Sequence, residues 1–415
     1  MEAHIKKDKH VFIVRSDNDF DHALPLINLI IKNLSPHNKI LLISRDPLRS
    51  YANDVRIRLL NTENLDYVDS MIIMSNRISG LIITTLRQTY FAVQGILIPS
   101  KLLLLLKPVI SNVLLSTISK FRNKSDRKLF TYMSALRDIR TLSIDTGLDT
   151  FNRRTLKDLN NEGLKKIVFN HSIPHVNLSL MHCMNLDETI TKKNLVTPQD
   201  IYTIVPNRFV YDSMVSDGYK SETIILGGSP RFQQDWVNKL ASSAPKRSKH
   251  NRLKVLVVAS KMQEHINKKE IFFILSSIIN SDRFDLLIKP HTRLGRTGLP
   301  YYIESKARMC YNESTNDLVE ESDIIMFWST SFIYHAVQRN KPIVFLKYVY
   351  SLPFHFNNIL GVGWEINSRN DLHEKMNQLY LDFKEGFDPS TRFQYQVLLK
   401  EMNPDNRNEI LKLYE

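Results

Sequence analysis

Short runs rich in Val and Ile, each closed by a turn and followed by a stretch of helical spacing, recur along this chain. A run that is apolar at consecutive positions is covered on both faces, and the helix after it returns the chain so that the next strand runs in the same direction. The pattern therefore predicts an α/β architecture of parallel sheets with helices on both faces. Strands are expected at 11–16 (VFIVRS), 39–44 (KILLIS), 140–144 (RTLSI) and 166–170 (KIVFN), and later at 202–206 (YTIVP), 223–228 (TIILGG), 254–260 (KVLVVAS), 285–290 (DLLIKP), 323–328 (DIIMFW) and 342–347 (PIVFLK).

At 415 residues the chain exceeds one ordinary core and suits two domains. Residues 241–252 (ASSAPKRSKHNR) gather small, Pro and basic residues without apolar period, as a linker does. The expected layout is a Rossmann-like domain over 1–240, the linker, a second Rossmann-like domain over 253–390, and helices over 391–415 that fold back on the first domain. Two doubly wound sheets facing each other across a cleft would place function just after the strands, where open α/β sheets bind ligands.

Composition narrows the partners. Hydrophobic residues make up 43% and charged residues 24%, which excludes a disordered, collagenous or coiled-coil chain. The net charge of +13 favours an anionic partner. Nucleic acid is the poorer choice, because the cations are scattered and aromatics do not alternate with them as a stacking platform requires. Only Cys183 and Cys310 are present, so neither a disulfide framework nor a Cys-based metal site is expected, and a reducing, cytoplasmic setting fits. The N-terminus lacks the pattern of a signal peptide. The apolar stretch 79–119 is interrupted by Arg87, Lys101 and Lys107 and is not expected to span a membrane. A basic run from Lys120 to Lys128 follows it. Two readings result: a buried helical pair, which is preferred, and peripheral contact with the inner face of a membrane.

Candidate site residues cluster after strands. Lys289, Pro290, His291, Thr292 and Arg293 end one strand, where the cations and the imidazole suit a phosphate leaving group. Ser329, Thr330 and Ser331 lie between a strand and a helix, an arrangement that suits anions, although an N-cap would explain one hydroxyl. Gly227 and Gly228 permit a tight turn that presents Ser229 and Arg231. Asp21 and His22 open the first helix, as acceptor-side groups or as plain capping chemistry. His171 follows a strand, with His175 four residues on; no carboxylate accompanies them in a metal pattern. Asp145 also ends a strand, from which a carboxylate could deprotonate a hydroxyl, or it serves an ordinary turn.

Roughly residues 222 to 370, with GSPRF, KPHTR and DIIMFWSTSFIYHAVQRNKPIVFL in order, resemble the nucleotide-binding domain of GT-B glycosyltransferases of bacterial surface-polysaccharide (capsule, cell-envelope) synthesis. The resemblance is strongest to CDP-glycerol glycerophosphotransferase-like proteins. It implies a transferase without cofactor or metal, a nucleotide-activated donor bound by the domain over 253–390, and a carbohydrate or lipid-linked acceptor bound by the domain over 1–240. It further implies donor-phosphate roles for His291 and Ser329 to Ser331, and acceptor deprotonation by His171. Bacterial sialyl- and polysialyltransferases are similar in part, through Asp145-Thr146-Gly147 and Ser329-Thr330, and would make Asp145 the base and a CMP-sugar the donor. His171 is preferred because its strand is read as the last of the first domain. His335 stands where many sugar-nucleotide GT-B enzymes carry a Glu. A sugar-nucleotide 2-epimerase shares the shell, but would be expected to keep that Glu and several first-domain carboxylates.

Overall fold

A computed structural model describes residues 9–33, 38–46, 49–60, 63–73, 77–95, 101–136, 138–145, 150–159, 163–169, 201–216, 218–244, 251–259, 266–290, 299–311, 313–328, 330, 332–349, 363–386, 388–391, 393–402 and 406–415. The chain divides into two units, Met1–Val93, Ser100–Arg231 and Pro404–Glu415 in the first, Gln94–Pro99 and Phe232–Asn403 in the second.

In the first unit β1 (Lys9–Val14), β2 (Lys39–Ser44), β3 (Leu65–Asp69), β4 (Ile139–Asp145), β5 (Lys165–Phe169), β6 (Ile201–Val205) and β7 (Ile224–Leu226) form one sheet. Its order is β3-β2-β1-β4-β5-β6-β7, and each neighbouring pair is parallel. The helices are α1 (Asp17–Asn33), α2 (Val55–Leu60), α3 (Ser70–Ile73), α4 (Arg77–Gly95), α5 (Lys101–Ala135), α6 (Thr150–Asp158) and α7 (Arg208–Ser216). Alternate strand residues serve opposite faces. Val11, Ile13, Leu142 and Ile144 meet Leu129 and Met133 of α5 and Phe151 of α6 on one face. On the other, Phe12 stacks on Tyr414 at 5.9 Å and Ser143 Oγ hydrogen-bonds the Tyr414 hydroxyl at 2.8 Å. Gly227 is required by this arrangement, since a Cβ there would come within 2.7 Å of Ile410 and 2.8 Å of Ile204.

The second unit contains α8 (Gln234–Ser243), α9 (Lys268–Ile279), α10 (Tyr301–Lys306), α11 (Thr315–Glu321), α12 (Ile333–Gln338), α13 (Arg369–Lys384) and α14 (Phe393–Met402), and the chain ends in α15 (Arg407–Tyr414), which belongs to the first unit. Its sheet has the parallel order β10-β9-β8-β11-β12-β13, from β8 (Leu253–Val258), β9 (Phe284–Lys289), β10 (Arg308–Met309), β11 (Ile324–Phe327), β12 (Ile343–Leu346) and β13 (Trp364–Ile366). Val255, Val257, Ile288 and Met326 form its core with Ile271, Ile274 and Ile278 of α9 and Leu372 and Met376 of α13.

Both sheets reverse their strand order, between β1 and β4 and between β8 and β11, so each unit is a doubly wound, Rossmann-like layer structure. The fold class expected from the sequence is the one observed. Three details differ. The division falls at Arg231–Phe232, not at 240, because Trp236, Val237 and Leu240 of α8 are buried within the second unit. Of the segment 391–415, α14 stays with the second unit, where the Tyr395 hydroxyl donates to the Lys341 carbonyl at 2.7 Å, and only α15 returns to the first. The strand before His171 is not the last of its sheet, since β6 and β7 follow it, which removes the reason for preferring that histidine. Among the described residues no helix is long and apolar enough to cross a membrane.

Candidate functional site

The carboxyl edge of the first sheet carries a chain of Arg–Asp contacts that begins at its switch point. Arg15 follows β1 and Asp145 ends the neighbouring β4. Arg15 Nη2 donates to Asp145 Oδ1 at 3.0 Å, while its Nε and backbone N–H both donate to Asp19 Oδ2 at 3.0 Å. Asp19 also accepts from Ser16 Oγ at 2.7 Å across the first turn of α1, so the helix start is fixed by the residues that hold Asp145. The side chains of Asp19 and Asp145 are wholly buried, and that of Arg15 is 16% exposed. A carboxylate is thus oriented by a guanidinium at the position where open α/β sheets take their ligands.

A second group lies beside it. Arg231, buried after β7, donates from Nη2 to Asp21 Oδ2 at 3.0 Å and from Nη1 to His22 Nε2 at 3.3 Å. A guanidinium only donates, so Nε2 of His22 accepts and the ring proton resides on Nδ1. Asp21 also meets Arg56, whose Nη2 lies 2.7 Å from both Asp17 and Asp54. Burial pushes the Arg231 guanidinium below its ordinary pKa, against the opposing pull of Asp21 and Asp17. At Arg56 burial acts in the same sense, but Asp17, Asp21 and Asp54 outweigh it and the pKa rises. Further along the edge Arg45, after β2, grips Asp126 with two bonds of 2.8 and 2.6 Å and lies 3.7 Å from the Phe151 ring centroid.

The expected donor group Arg231 therefore joins the expected acceptor-side groups Asp21 and His22 within one unit. Gly228 adopts φ 73°, the left-handed conformation for which glycine is suited, and next to it Ser229 is buried with no hydrogen-bond partner for its hydroxyl among the described residues. Arg15, Asp17, Asp19, Arg45 and Arg56 escaped the sequence reading. Arg15 and Arg45 carried a signal, each standing directly after a buried strand.

In the second unit Lys289 ends β9 and is buried, and its ammonium donates to the backbone carbonyls of Tyr311 at 3.1 Å and Glu313 at 2.7 Å. These bonds join the end of β9 to the segment after β10. Thr330 Oγ1 accepts from Phe332 N at 3.2 Å and caps the turn into α12. His335 of α12 is buried and stacks on Phe332, ring centroids 5.1 Å apart. His171, His175, His291, Arg293, Ser329 and Ser331 lie outside the described residues.

No protein-family model matches the chain, and no curated protein matches it in sequence. Solved structures match it in fold. UDP-N-acetylglucosamine 2-epimerase from Rickettsia bellii aligns with a TM-score of 0.55 at 13% identity, over 98% of this chain and 96% of that one. The UDP-GlcNAc 2-epimerase from Neisseria meningitidis, solved with UDP-GlcNAc, aligns with 0.53 at 14% identity, over 98% and 96%. The wall teichoic acid polymerase TagF aligns with 0.46 at 11% identity, over 99% and 89%, a likeness that carries no inference. These likenesses establish a GT-B-like fold of two Rossmann-like domains.

Proposed function

We propose that the protein transfers a glycosyl or polyol-phosphate group from a nucleotide-activated donor to a carbohydrate or lipid-linked acceptor in surface-polysaccharide synthesis. The observation that carries this reading is the buried Asp145 held by Arg15 at the switch point of the first sheet. Asp145 takes the proton of the acceptor hydroxyl, the freed oxygen bonds to the donor's anomeric carbon or phosphorus, and the nucleotide departs with the electrons of the broken bond. His171 is the competing base. His291, Arg293, Ser329 and Ser331 are assigned to the departing phosphate, where fixed charges and hydroxyl donors act on charge that develops in the transition state. Lys289 is left out of that set because its ammonium is turned to backbone carbonyls. Neither a cofactor nor a metal is assigned.

Epimerisation of a sugar nucleotide is the second reading. In its favour, Asp17, Asp19, Asp21 and Asp145 gather in the first unit; against it, position 335 holds a buried histidine. The test incubates the protein with CDP-, CMP-, UDP- and GDP-activated donors, selected by the thermal shift that each nucleotide produces. Free nucleotide whose release rises with added acceptor supports transfer. A sugar nucleotide epimerised without release establishes the second reading in its place. Asp145→Asn should lower kcat by on the order of 10² or more with little change in nucleotide affinity, and an unaltered kcat removes Asp145 from the mechanism.

A further inference from the structure

α5 has 35 residues, on the order of 50 Å of helix, and the sheet uses only part of it. Among its described side chains the buried ones form one stripe at helical spacing: Ser111, Ile118, Ser125, Leu129 and Met133. Leu129 and Met133 join the sheet's core, and Ile118 packs with Met71 of α3 and Ile83 of α4. The opposite stripe, Val109, Val113, Ser116, Lys120, Lys124 and Arg127, is exposed throughout. Val109 is 57% and Val113 61% exposed; beside them Ile110 is 44%, and on α4 Leu81 is 70% exposed. Large apolar side chains left in water at adjacent positions of one helix mark an interaction surface.

The charge on these helices says what the surface meets. From Arg77 to Ala135 the chain contains a single carboxylate, Asp126, and Arg45 binds both of its oxygens. The exposed stripe therefore offers apolar groups at one end and cations at the other, over about 27 Å from Val109 to Arg127 at 1.5 Å per residue. We infer that this face of α5 lies on an anionic lipid bilayer, with Val109, Ile110 and Val113 in the acyl boundary and Lys120, Lys124 and Arg127 among the headgroups. A second copy of the chain is a poorer occupant, since a two-fold interface on this stripe sets its cations against cations or against apolar groups, with no carboxylate to pair them. The inference stands apart from the reaction, because adsorption is read without turnover.

The test is flotation of the full-length protein with vesicles of phosphatidylcholine alone and of phosphatidylcholine mixed with phosphatidylglycerol. The protein should float with the mixed vesicles only, and less so as salt rises. Replacing Lys120, Lys124 and Arg127 by Ser should weaken that binding by about fivefold per cation, on the order of 10² in all. Val113→Asp should weaken it as well, and the exposed positions leave the circular dichroism of each variant unchanged. Equal binding to neutral vesicles, binding to neither, or full retention by the triple variant overturns the inference. So does a dimer in solution that Val113→Asp dissociates, which would give the face to a second copy.

Discussion

Replacing Arg15 by Met should destabilise the first unit selectively, by an amount the geometry sets. Arg15 stands between Asp19 and Asp145, whose side chains are wholly buried, and makes three bonds of 3.0 Å to them, two from its guanidinium and one from its backbone N–H; the backbone bond survives the substitution and the two side-chain bonds do not. Removing one partner of a buried ion pair costs about 3–5 kcal/mol. Arg15 is 16% exposed and water can replace part of what is lost, which places the expected cost near the lower end, about 3 kcal/mol. Adding Asp145→Asn removes one of the stranded charges, so the double variant should be more stable than the sum of the single changes by about 1–3 kcal/mol. The assay is urea unfolding followed by two probes. Trp236, Trp328 and Trp364, the only tryptophans of the chain, all belong to the second unit, so their fluorescence reports on that unit and far-UV circular dichroism on both. The dichroism transition should move and the fluorescence transition should not. Additive costs, or an Arg15→Met variant within about 1 kcal/mol of wild type, would refute the view that this guanidinium organises the switch point.

Glu321 gives a pH test in the second unit. Burial disfavours its charge, but hydrogen bonds from Lys254 and Arg308, both at 2.6 Å, outweigh burial and hold its pKa below the ordinary value. A depressed carboxylate stabilises above its unfolded value of about 4.3 and loses that contribution as pH falls through the folded value, so Glu321→Gln should be the less stable protein at neutral pH and converge on wild type in acid; a gap constant with pH would exclude this. Burial, with Glu313 next, pushes the Cys310 thiol up to about 12, so in a Cys183→Ser background iodoacetamide should label the chain at about pH 8 only after urea unfolding, and prompt native labelling would contradict the buried setting. Tyr414→Phe strands the buried Ser143 hydroxyl and should cost about 1 kcal/mol in the dichroism transition, with no loss expected if α15 were not seated on β4.

The strand interiors were legible because a doubly covered strand must be apolar at consecutive positions. KILLIS coincides with β2, and the other expected strands agree with theirs to within a residue or two at each end. What escaped lay at edges. β3 reads LDYVD, with charges on a half-covered strand, and β10 and β13 are two and three residues long, too short for a pattern. The composition changes from apolar to basic at Lys120, yet one helix, α5, runs through the change, because Lys and Arg are good helix formers and the buried stripe keeps its spacing across it. At the site, strand-end position pointed to Asp145. It could not reveal that Arg231 meets His22 across 209 positions of sequence, since β1 and β7 are separated by three strands and share only the side of the sheet to which parallel strands send their carboxyl ends.

The basic composition also changes meaning once these contacts are known. A net charge of +13 suggests a cationic exterior, but Arg15, Arg45, Arg56, Arg87 and Arg231 are counterions of aspartates inside the first unit. Their charge is neutralised within a few ångströms and contributes little to the field a partner meets, whereas Lys120, Lys124 and Arg127 are exposed on a helix face that has no carboxylate of its own. The total charge counts both kinds equally. Neutralising Arg231 should therefore change how well the first unit folds, and neutralising Lys120 should change what it binds.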